Sequence, residues 1–210
     1  MAFFTQEDIN SFDHIHRINL MNSLSGYKSA NLIGSISSSA IENVAVFSSI
    51  IHLGSNPPLL GFILRPTTVP RNTYENLKEI GYYTLNHITK PIIEDAHHTS
   101  AKYDKSISEF DVTNLTPEYL NGFVAPFVKE SPVKIAMKFV EEYYIRANDT
   151  IMVVGEIQFF DVKDDMLEED GFLNLSKGEV ATINGLDGYA VPKLLTREGY
   201  QRPKEIQKTI

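Results

Sequence analysis

Two long runs of alternating apolar residues, separated by a short polar segment, constrain the fold of this chain more than any other feature. The first run alternates over residues 133–139, the second extends over residues 150–162, and residues 146–149 form the polar segment before the second run. A period of two is typical of a half-buried β-strand, and a short turn between two such runs indicates an antiparallel pair. The sequence therefore predicts a long antiparallel hairpin.

Shorter runs extend this β-rich pattern. Residues 31–37 and 44–52 are rich in β-branched side chains and predict a second hairpin, and residues 82–88 predict another strand. Residues 59–64 are continuously apolar, which is typical of a strand buried on both faces. Strands linked mainly by hairpins favour a closed barrel over a doubly wound parallel sheet. We therefore expect a mainly β fold, a small closed antiparallel barrel with a few short helices.

The helices and loops are predicted from caps and breakers. We expect a helix over residues 5–24 capped by Thr5, a helix capped by Asn72 or Thr73 that stops at Gly81, and a third from Pro91 to about residue 101. Residues 102–131 are expected to be loop and short helix, and no regular structure is assigned from residue 176 onward. The 210 residues contain no repeat or low-complexity tract, so residues 1–210 are expected to form a single domain.

Charge and cysteine content exclude several functions. The formal net charge is −8 and the 19 basic residues are scattered, so nucleic acid is not an expected partner. There is no cysteine, so electron chemistry would require a cofactor. The N-terminus lacks a signal-peptide pattern and no apolar run approaches the ~20 residues of a membrane span, so we expect a cytoplasmic protein that does not enter a membrane.

A phosphate-bearing ligand would need a local positive cluster in such an acidic chain. One candidate follows the apolar run at 59–64, where a predicted helix begins, and comprises Arg65, Thr67, Thr68, Arg71, Asn72 and Thr73. Arginine side chains and the free N–H groups of a helix N-terminus favour an anion. Spacing alone leaves two interpretations open, an anion site or solvated loop residues with a helix cap.

Metal binding has weak support. Glu94 and His97 have the i, i+3 spacing of di-iron carboxylate bundles, but that site requires a second copy of the motif and further carboxylates. The remaining histidines have no evident partners, so no metal site is predicted.

The order of several short motifs resembles the flavin reductase-like family of FMN-binding split barrels. These motifs are NLIGSISSS at 31–39, ENVAVFSS at 42–49, NPPLL at 56–60, RP at 65–66, NTYEN at 72–76, GYYTLN at 81–86, AHHTS at 96–100, SEF at 108–110 and NGLDGY at 184–189. The resemblance covers most of the chain and implies a split barrel that binds FMN, with FAD as the alternative flavin. The sequence departs from the family at two positions: Val46 stands where many relatives have a proline, and Asn72 stands where many have an aspartate.

The resemblance also implies which residues hold the cofactor. The positions that match the ring and ribityl segments are Ser38, Ser39, Asn43, Ala45, Val46, Phe47, Ser48 and Ser49. Those that match the phosphate loop and its bracing asparagine are Arg65, Thr68, Arg71, Asn72, Thr73 and Asn76. Simple core packing is the alternative interpretation for Val46 and Phe47.

The implied activity is hydride transfer from NADH or NADPH to flavin, in which the cofactor carries the reactive centre and no catalytic acid or base is required. His97, His98 and Ser100 are candidates for the nicotinamide side, with solvent-exposed helix residues as the alternative. The family further implies a homodimer and a partner oxygenase or other electron acceptor. Two other functions remain open, a non-enzymatic FMN electron carrier like flavoredoxin and a structural or haem-binding relative that has lost flavin.

Overall fold

The structure of residues 1–203, a computed structural model, is mainly β with a few short helices. Within this range the α-helices are α1 (Gln6–Ser11), α2 (His14–Leu24), α3 (Asn72–Ile80) and α4 (Ile93–His98). The strands are β1 (Lys28–Ser29), β2 (Asn31–Ile36), β3 (Glu42–Phe47), β4 (Ile51–Ser55), β5 (Pro58–Leu64), β6 (Tyr82–His87), β7 (Pro117–Glu118), β8 (Phe127–Val128), β9 (Val133–Ile145), β10 (Thr150–Val162), β11 (Thr182–Asn184) and β12 (Gly188–Ala190).

Seven strands form one antiparallel sheet in the order β3-β2-β6-β9-β10-β5-β4. The predicted β2–β3 hairpin is confirmed, with Gly34 opposite Val44. The predicted strand at 44–52 is wrong in extent, because β3 ends at Phe47 and β4 begins at Ile51. The residues between them carry the chain from one edge of the sheet to the other, so one apolar run supplies both edge strands.

The expected closed barrel is not completed by backbone pairing in residues 1–203, because β3 and β4 are the two edges of the sheet. A side chain makes part of the connection instead. The Ser49 hydroxyl donates to the Ile63 carbonyl oxygen at 3.0 Å and accepts from the Ile63 N–H at 3.1 Å. Ser49 therefore attaches the crossing segment to β5 with a hydroxyl where a ladder residue would use its backbone.

The long hairpin predicted first is confirmed as β9 and β10, joined by residues 146–149. Asp149 adopts a positive φ of 57° in this turn, a conformation that Asp tolerates better than most residues. Register shifts follow Val154 and Ile157. Such bulges increase the local twist, which curls the sheet towards a barrel.

Two apolar clusters form on opposite faces of this curled sheet. Alternate residues of β2 face opposite ways, so Ile33 packs into one cluster and Leu32 into the other. The inner core contains Ile33, Phe62, Leu64, Leu77, Tyr83, Leu85, Met137 and Val153. The outer core contains Ala30, Leu32, Val44, Ile88, Ile92, Ala96, Phe110, Leu115, Val128, Ala181 and Ile183. The outer core attaches α4 and the C-terminal strands to β2 and β3.

The terminal segments differ from the sequence-based expectations. The predicted helix at 5–24 is two helices, and Asp13 accepts a hydrogen bond from the His16 N–H to begin the second. Thr5 caps the first helix as predicted. The region from residue 176 was assigned no regular structure, yet β11 pairs with both β1 and β12. Strands of three residues are too short to show a periodicity, so the sequence pattern missed them.

Candidate functional site

The loop between β5 and α3 forms the first half of the candidate site. Arg71 is the N-cap residue of α3 and no side chain caps the first turn, so the predicted caps Asn72 and Thr73 are wrong. Thr73 is instead buried, and its hydroxyl accepts a hydrogen bond from Asn43 Nδ2 at 3.1 Å. The first N–H groups of α3 therefore have no side-chain acceptor, which leaves them free for an anion.

Two arginines place positive charge at this helix end. Arg71 is partly buried and donates from Nη2 to the Pro66 carbonyl oxygen at 3.3 Å, while its buried Nε has no hydrogen-bond partner among residues 1–203. Burial, followed by repulsion from Arg65, lowers the pKa of Arg71. In the described part of the chain, the ion pairs within 4.0 Å include neither arginine. Positive charge beside an uncapped helix end is an arrangement that favours an anion.

Two buried asparagines fix this loop relative to the first hairpin. Asn43 on β3 bonds Thr73, as described above, and Asn76 Nδ2 donates to Ser35 Oγ on β2 at 3.1 Å. Both asparagines are at most 5% exposed. The start of α3 is therefore held against β2 and β3, so the loop between β5 and α3 is fixed relative to β3.

The candidate ring-binding residues on β3 contribute mainly backbone. Phe47 packs against the inner core, with its ring centroid 5.2 Å from that of Phe62, and Val46 packs against the outer core. Ala45 precedes both residues on β3 and is partly buried. The side chains of Val46 and Phe47 thus have the packing role given above as the alternative interpretation. What β3 offers a ligand is its unpaired edge.

A buried carboxylate already occupies one position on this edge. Glu109 Oε2 accepts a hydrogen bond from the Val44 N–H at 3.1 Å, and Glu109 is 5% exposed. The sequence-based reasoning noted Glu109 only as part of the SEF motif and assigned it no role. Its partner is 65 positions earlier, so no local pattern could have revealed the contact.

The serines of the candidate site are in three different settings. Ser38 and Ser39 are exposed at the turn between β2 and β3, where the Ser38 N–H donates to Glu79 Oε2 at 3.3 Å. Ser48 is partly buried just beyond β3, whereas the hydroxyl of Ser49 is occupied by Ile63. Ser38, Ser39 and Ser48 are therefore the serines with hydroxyls available to a ligand.

Thr68 lines a small cleft beside the arginine loop. The cleft has a volume of about 350 Å³ and lies between this loop and the β9–β10 turn; its lining residues are Pro66, Thr67, Thr68, Tyr144 and Asp149. The Tyr144 hydroxyl donates to Asp149 Oδ1. Thr68 is exposed, so its hydroxyl is accessible from this cleft.

The candidate nicotinamide-side residues lie on or just beyond α4. His97 and His98 are exposed, with His97 Nδ1 3.2 Å from the Tyr189 hydroxyl and His98 Nε2 2.7 Å from the Tyr103 hydroxyl. Ser100 is also exposed. Ala96 packs in the outer core with Val44, so α4 lies against the outer face of β3. The structure therefore brings the histidine-bearing helix next to the strand that carries the ring candidates.

Two further searches concern metals and membranes. Residues 1–203 contain no group of three or more His, Asp or Glu side chains that could hold a metal ion. Over the same range, every helix is too short or too polar to cross a bilayer.

Solved structures with the same architecture define the class as split-barrel proteins. A protein of Shewanella frigidimarina NCIMB 400, assigned as a flavin reductase with a split barrel domain, is 47% identical and has a TM-score of 0.93, covering 96% of this chain and 100% of that protein. Flavoredoxin of Desulfovibrio vulgaris (Miyazaki F) is 20% identical with a TM-score of 0.72, covering 83% of this chain and 92% of its own, a likeness of fold.

The family model of the flavin reductase-like domain matches residues 27–184. The chain therefore belongs to the flavin reductase-like domain family, as its motifs implied. A curated relative, an uncharacterized protein of Aquifex aeolicus (strain VF5), is 26% identical over 158 residues, which is 74% of this chain and 79% of the relative.

Proposed function

We propose that this protein binds FMN, accepts hydride from NADH or NADPH, and passes the electrons to an acceptor or a partner oxygenase. The observation that carries the proposal is the anion site at the start of α3. There an uncapped helix end meets Arg65 and Arg71, and the buried Arg71 Nε has no partner. An orphaned buried donor costs about 1–3 kcal/mol, and a movement of the Arg71 side chain that brings Nε to a phosphate would remove this cost.

The donor set suits the dianionic monoester of FMN. Arg65 and Arg71 supply charge, Thr68 and Asn72 supply further polar groups, and the α3 N–H groups point along the helix axis towards the same position. Asn43, Thr73 and Asn76 hold that position relative to β3. FAD would use the same loop for one of its two phosphates.

The remaining residues orient the ring and control access to it. Bound FMN would supply the hydride-accepting centre. The edge of β3 and the segment that follows it as far as Ser49 would align the ring, with Ser38, Ser39 and Ser48 providing hydroxyls. The exposed face of α4, with His97 and His98, would border the space for the nicotinamide. Holding two reactants in contact lowers the entropic part of the barrier without an acid or base from the protein.

Oligomeric state is part of the same proposal. No residue of α1 or α2 is buried, and Phe4, Ile15 and Leu24 are 47%, 63% and 68% exposed. Exposed apolar side chains at this density are typical of a surface that a partner covers. We propose a cytoplasmic homodimer of single-domain subunits, residues 1–210, in which these helices contribute to the interface. Light scattering that gives only monomer would contradict it.

Anaerobic stopped-flow mixing tests the activity. Protein reconstituted with FMN is mixed with NADH and, separately, NADPH while the flavin absorbance is followed. We expect bleaching within a catalytic cycle of seconds or less with at least one nucleotide. If the flavin is reduced only by a reduced protein donor and by neither nucleotide, the protein is an electron carrier and not an enzyme. A purified protein that does not bind FMN, or that has a Soret band, would overturn the proposal.

Solved structures with this fold include components of a monooxygenase. One is nitrilotriacetate monooxygenase component B of Bacillus cereus, which is 17% identical with a TM-score of 0.81. That likeness is of fold alone, but it makes a partner oxygenase a reasonable acceptor to test. Addition of free FMN or FAD in excess over the protein would reveal whether the bound flavin exchanges.

A further inference from the structure

The alternation of hydrogen bonds along β3 identifies which of its backbone groups face away from the sheet. In an antiparallel pair, alternate residues point both N–H and C=O towards the partner strand or away from it. The Val44 N–H bonds Glu109 rather than β2, so Val44 faces outward, and by the same alternation so does Val46. The Val44 N–H is already bonded to Glu109, so the next outward N–H is that of Val46, about 7 Å along the strand.

Glu109 is a carboxylate without a counter-ion. Its Oε2 accepts only the Val44 N–H, and no ion pair within 4.0 Å in residues 1–203 includes it. Burial raises the pKa of Glu109, and hydrogen bonds from its own N–H and that of Val44 partly offset the rise. The buried carboxyl group is therefore easier to protonate than that of an exposed glutamate.

The charged groups on the surrounding elements are all occupied or exposed. Glu42 on β3 accepts a hydrogen bond from the Tyr119 hydroxyl at 2.7 Å, and Asp95 on α4 accepts from Asn114. The others are Asp111 on the same turn and Glu94, His97 and His98 on α4, which are exposed. None of them forms a hydrogen bond with the Glu109 carboxylate in the described residues.

We propose that Glu109 is a positioning residue that holds the flavin-facing edge of β3 and takes up a proton when the flavin is reduced. The inference rests on the proposed FMN groove and deepens it. Val46 N–H is the donor that the edge offers to the ring, and Glu109 is the buried charge beside it. A negative charge held at Val44 disfavours added negative charge on a ring that is bound beside Val46.

The charge balance follows directly. A hydride from the reduced nicotinamide nucleotide brings two electrons and one proton, so the site becomes one unit more negative. Glu109 accepts one proton from solvent and changes from −1 to 0, which restores the original charge. The Val44 N–H remains bonded to the carbonyl oxygen of the protonated carboxyl group.

Glu109→Gln separates charge from position, because the amide oxygen still accepts the Val44 N–H. The dissociation constants of oxidised FMN and of dithionite-reduced FMN are measured at pH 7 for the wild type and the variant. In the variant, we expect the dissociation constant of oxidised FMN to lie within about threefold of the wild-type value. The ratio of the oxidised to the reduced dissociation constant should be about tenfold larger than in the wild type. Glu42→Gln makes the same chemical change on the same strand and should leave the ratio unchanged.

An unchanged ratio in Glu109→Gln, or an equal change in Glu42→Gln, would overturn the role of Glu109 while leaving FMN binding intact. Failure of the wild type to bind FMN would overturn the proposed function itself, and this inference with it. If Glu109→Gln does not fold, the pH dependence of the flavin midpoint potential of the wild type tests the inference instead. The two-proton slope of its flavin midpoint potential should extend to a higher pH than that of free FMN, whose reduced form itself takes up a second proton in acid. A change to the one-proton slope at the same pH as free FMN would contradict the inference.

Discussion

The amide of Asn43 donates to the hydroxyl of Thr73 at 3.1 Å, and this single buried bond ties the edge strand of the sheet to the first turn of α3. Both residues are at most 5% exposed. The bond therefore links the proposed ring edge to the proposed phosphate loop, and the two are expected to lose their alignment together.

Thr73→Val removes the hydroxyl at nearly constant volume and leaves the Asn43 amide buried without its acceptor. We expect a loss of about 1–3 kcal/mol in the free energy of unfolding, the cost of an unsatisfied buried donor. Urea denaturation measures it, with the exposed Thr196→Val as the control. In a double-mutant cycle with Asn43→Ala the two losses should not add, and strict additivity would contradict the coupling.

Arg71→Ala and Arg65→Ala test the anion site. Each removes a charge-assisted contact to the phosphate but none to the ring, so FMN binding should weaken by about 1.5–3 kcal/mol while riboflavin binding is nearly unchanged. Fluorescence titration with both flavins measures this. Arg202→Ala, an exposed arginine outside the loop, serves as the control. Equal losses for FMN and riboflavin would refute a phosphate role.

Local patterns predicted the parts of this fold that depend on neighbouring residues. The β9–β10 hairpin and the stop of α3 at Gly81, where φ is 79°, follow from periodicity and from the freedom of glycine at positive φ. The cap of α3 was predicted wrongly because Thr73 is held by Asn43, 30 positions earlier. Long-range side-chain contacts of this kind are invisible to a window of a few residues.

The candidate site divides in the same way. Arg65 and Arg71 stand out in sequence because they are clustered in an acidic chain, and in the structure the charge of Arg65 contributes, after burial, to the lowered pKa of Arg71. The edge of β3 and the carboxylate of Glu109 were not predictable, since strand order and burial decide them. The sequence could therefore indicate the proposed phosphate loop and the segment 38–49 as a candidate set of backbone donors, but not which N–H groups of that segment point away from the sheet.

Gly155 is required by the position of the Tyr83 hydroxyl. A Cβ on Gly155 would lie 2.1 Å from the Tyr83 hydroxyl oxygen, which is buried and has no hydrogen-bond partner in the described part of the chain. We expect Gly155→Ala to destabilise the protein by about 1–3 kcal/mol through overpacking. Gly199→Ala, where nothing lies within 4 Å, should have little effect in the same thermal denaturation.

Tyr83→Phe should rescue part of the Gly155→Ala loss, because it removes the atom that clashes. Rescue is partial, since Tyr83 Cζ and the Lys138 carbonyl oxygen would still be 3.0 Å and 3.2 Å from the new Cβ. By itself Tyr83→Phe should be close to neutral, because the phenol oxygen makes no hydrogen bond. A Tyr83→Phe background in which Gly155→Ala costs as much as in wild type would exclude this explanation.

His87 should make folding stability depend on pH in the mildly acidic range. It lies opposite Asn31 in the β2–β6 pairing, and its Nδ1 is buried without a partner, although part of the residue remains accessible. Burial lowers the pKa of His87 from 6.5 to about 4. As the pH falls, His87 therefore becomes protonated near pH 6.5 in the unfolded chain but only near pH 4 in the folded protein.

A depressed folded-state pKa contributes stability that is complete above pH 6.5 and is lost as the pH falls towards 4. The loss attributable to His87 should reach at most about 3 kcal/mol. His87→Gln cannot titrate, so its free energy of unfolding, measured in urea at pH values from 4 to 7, should fall less steeply than that of the wild type. His52→Gln, at an exposed histidine, should retain the wild-type slope. Parallel profiles for the wild type and His87→Gln would mean that His87 is protonated equally in the folded and unfolded states.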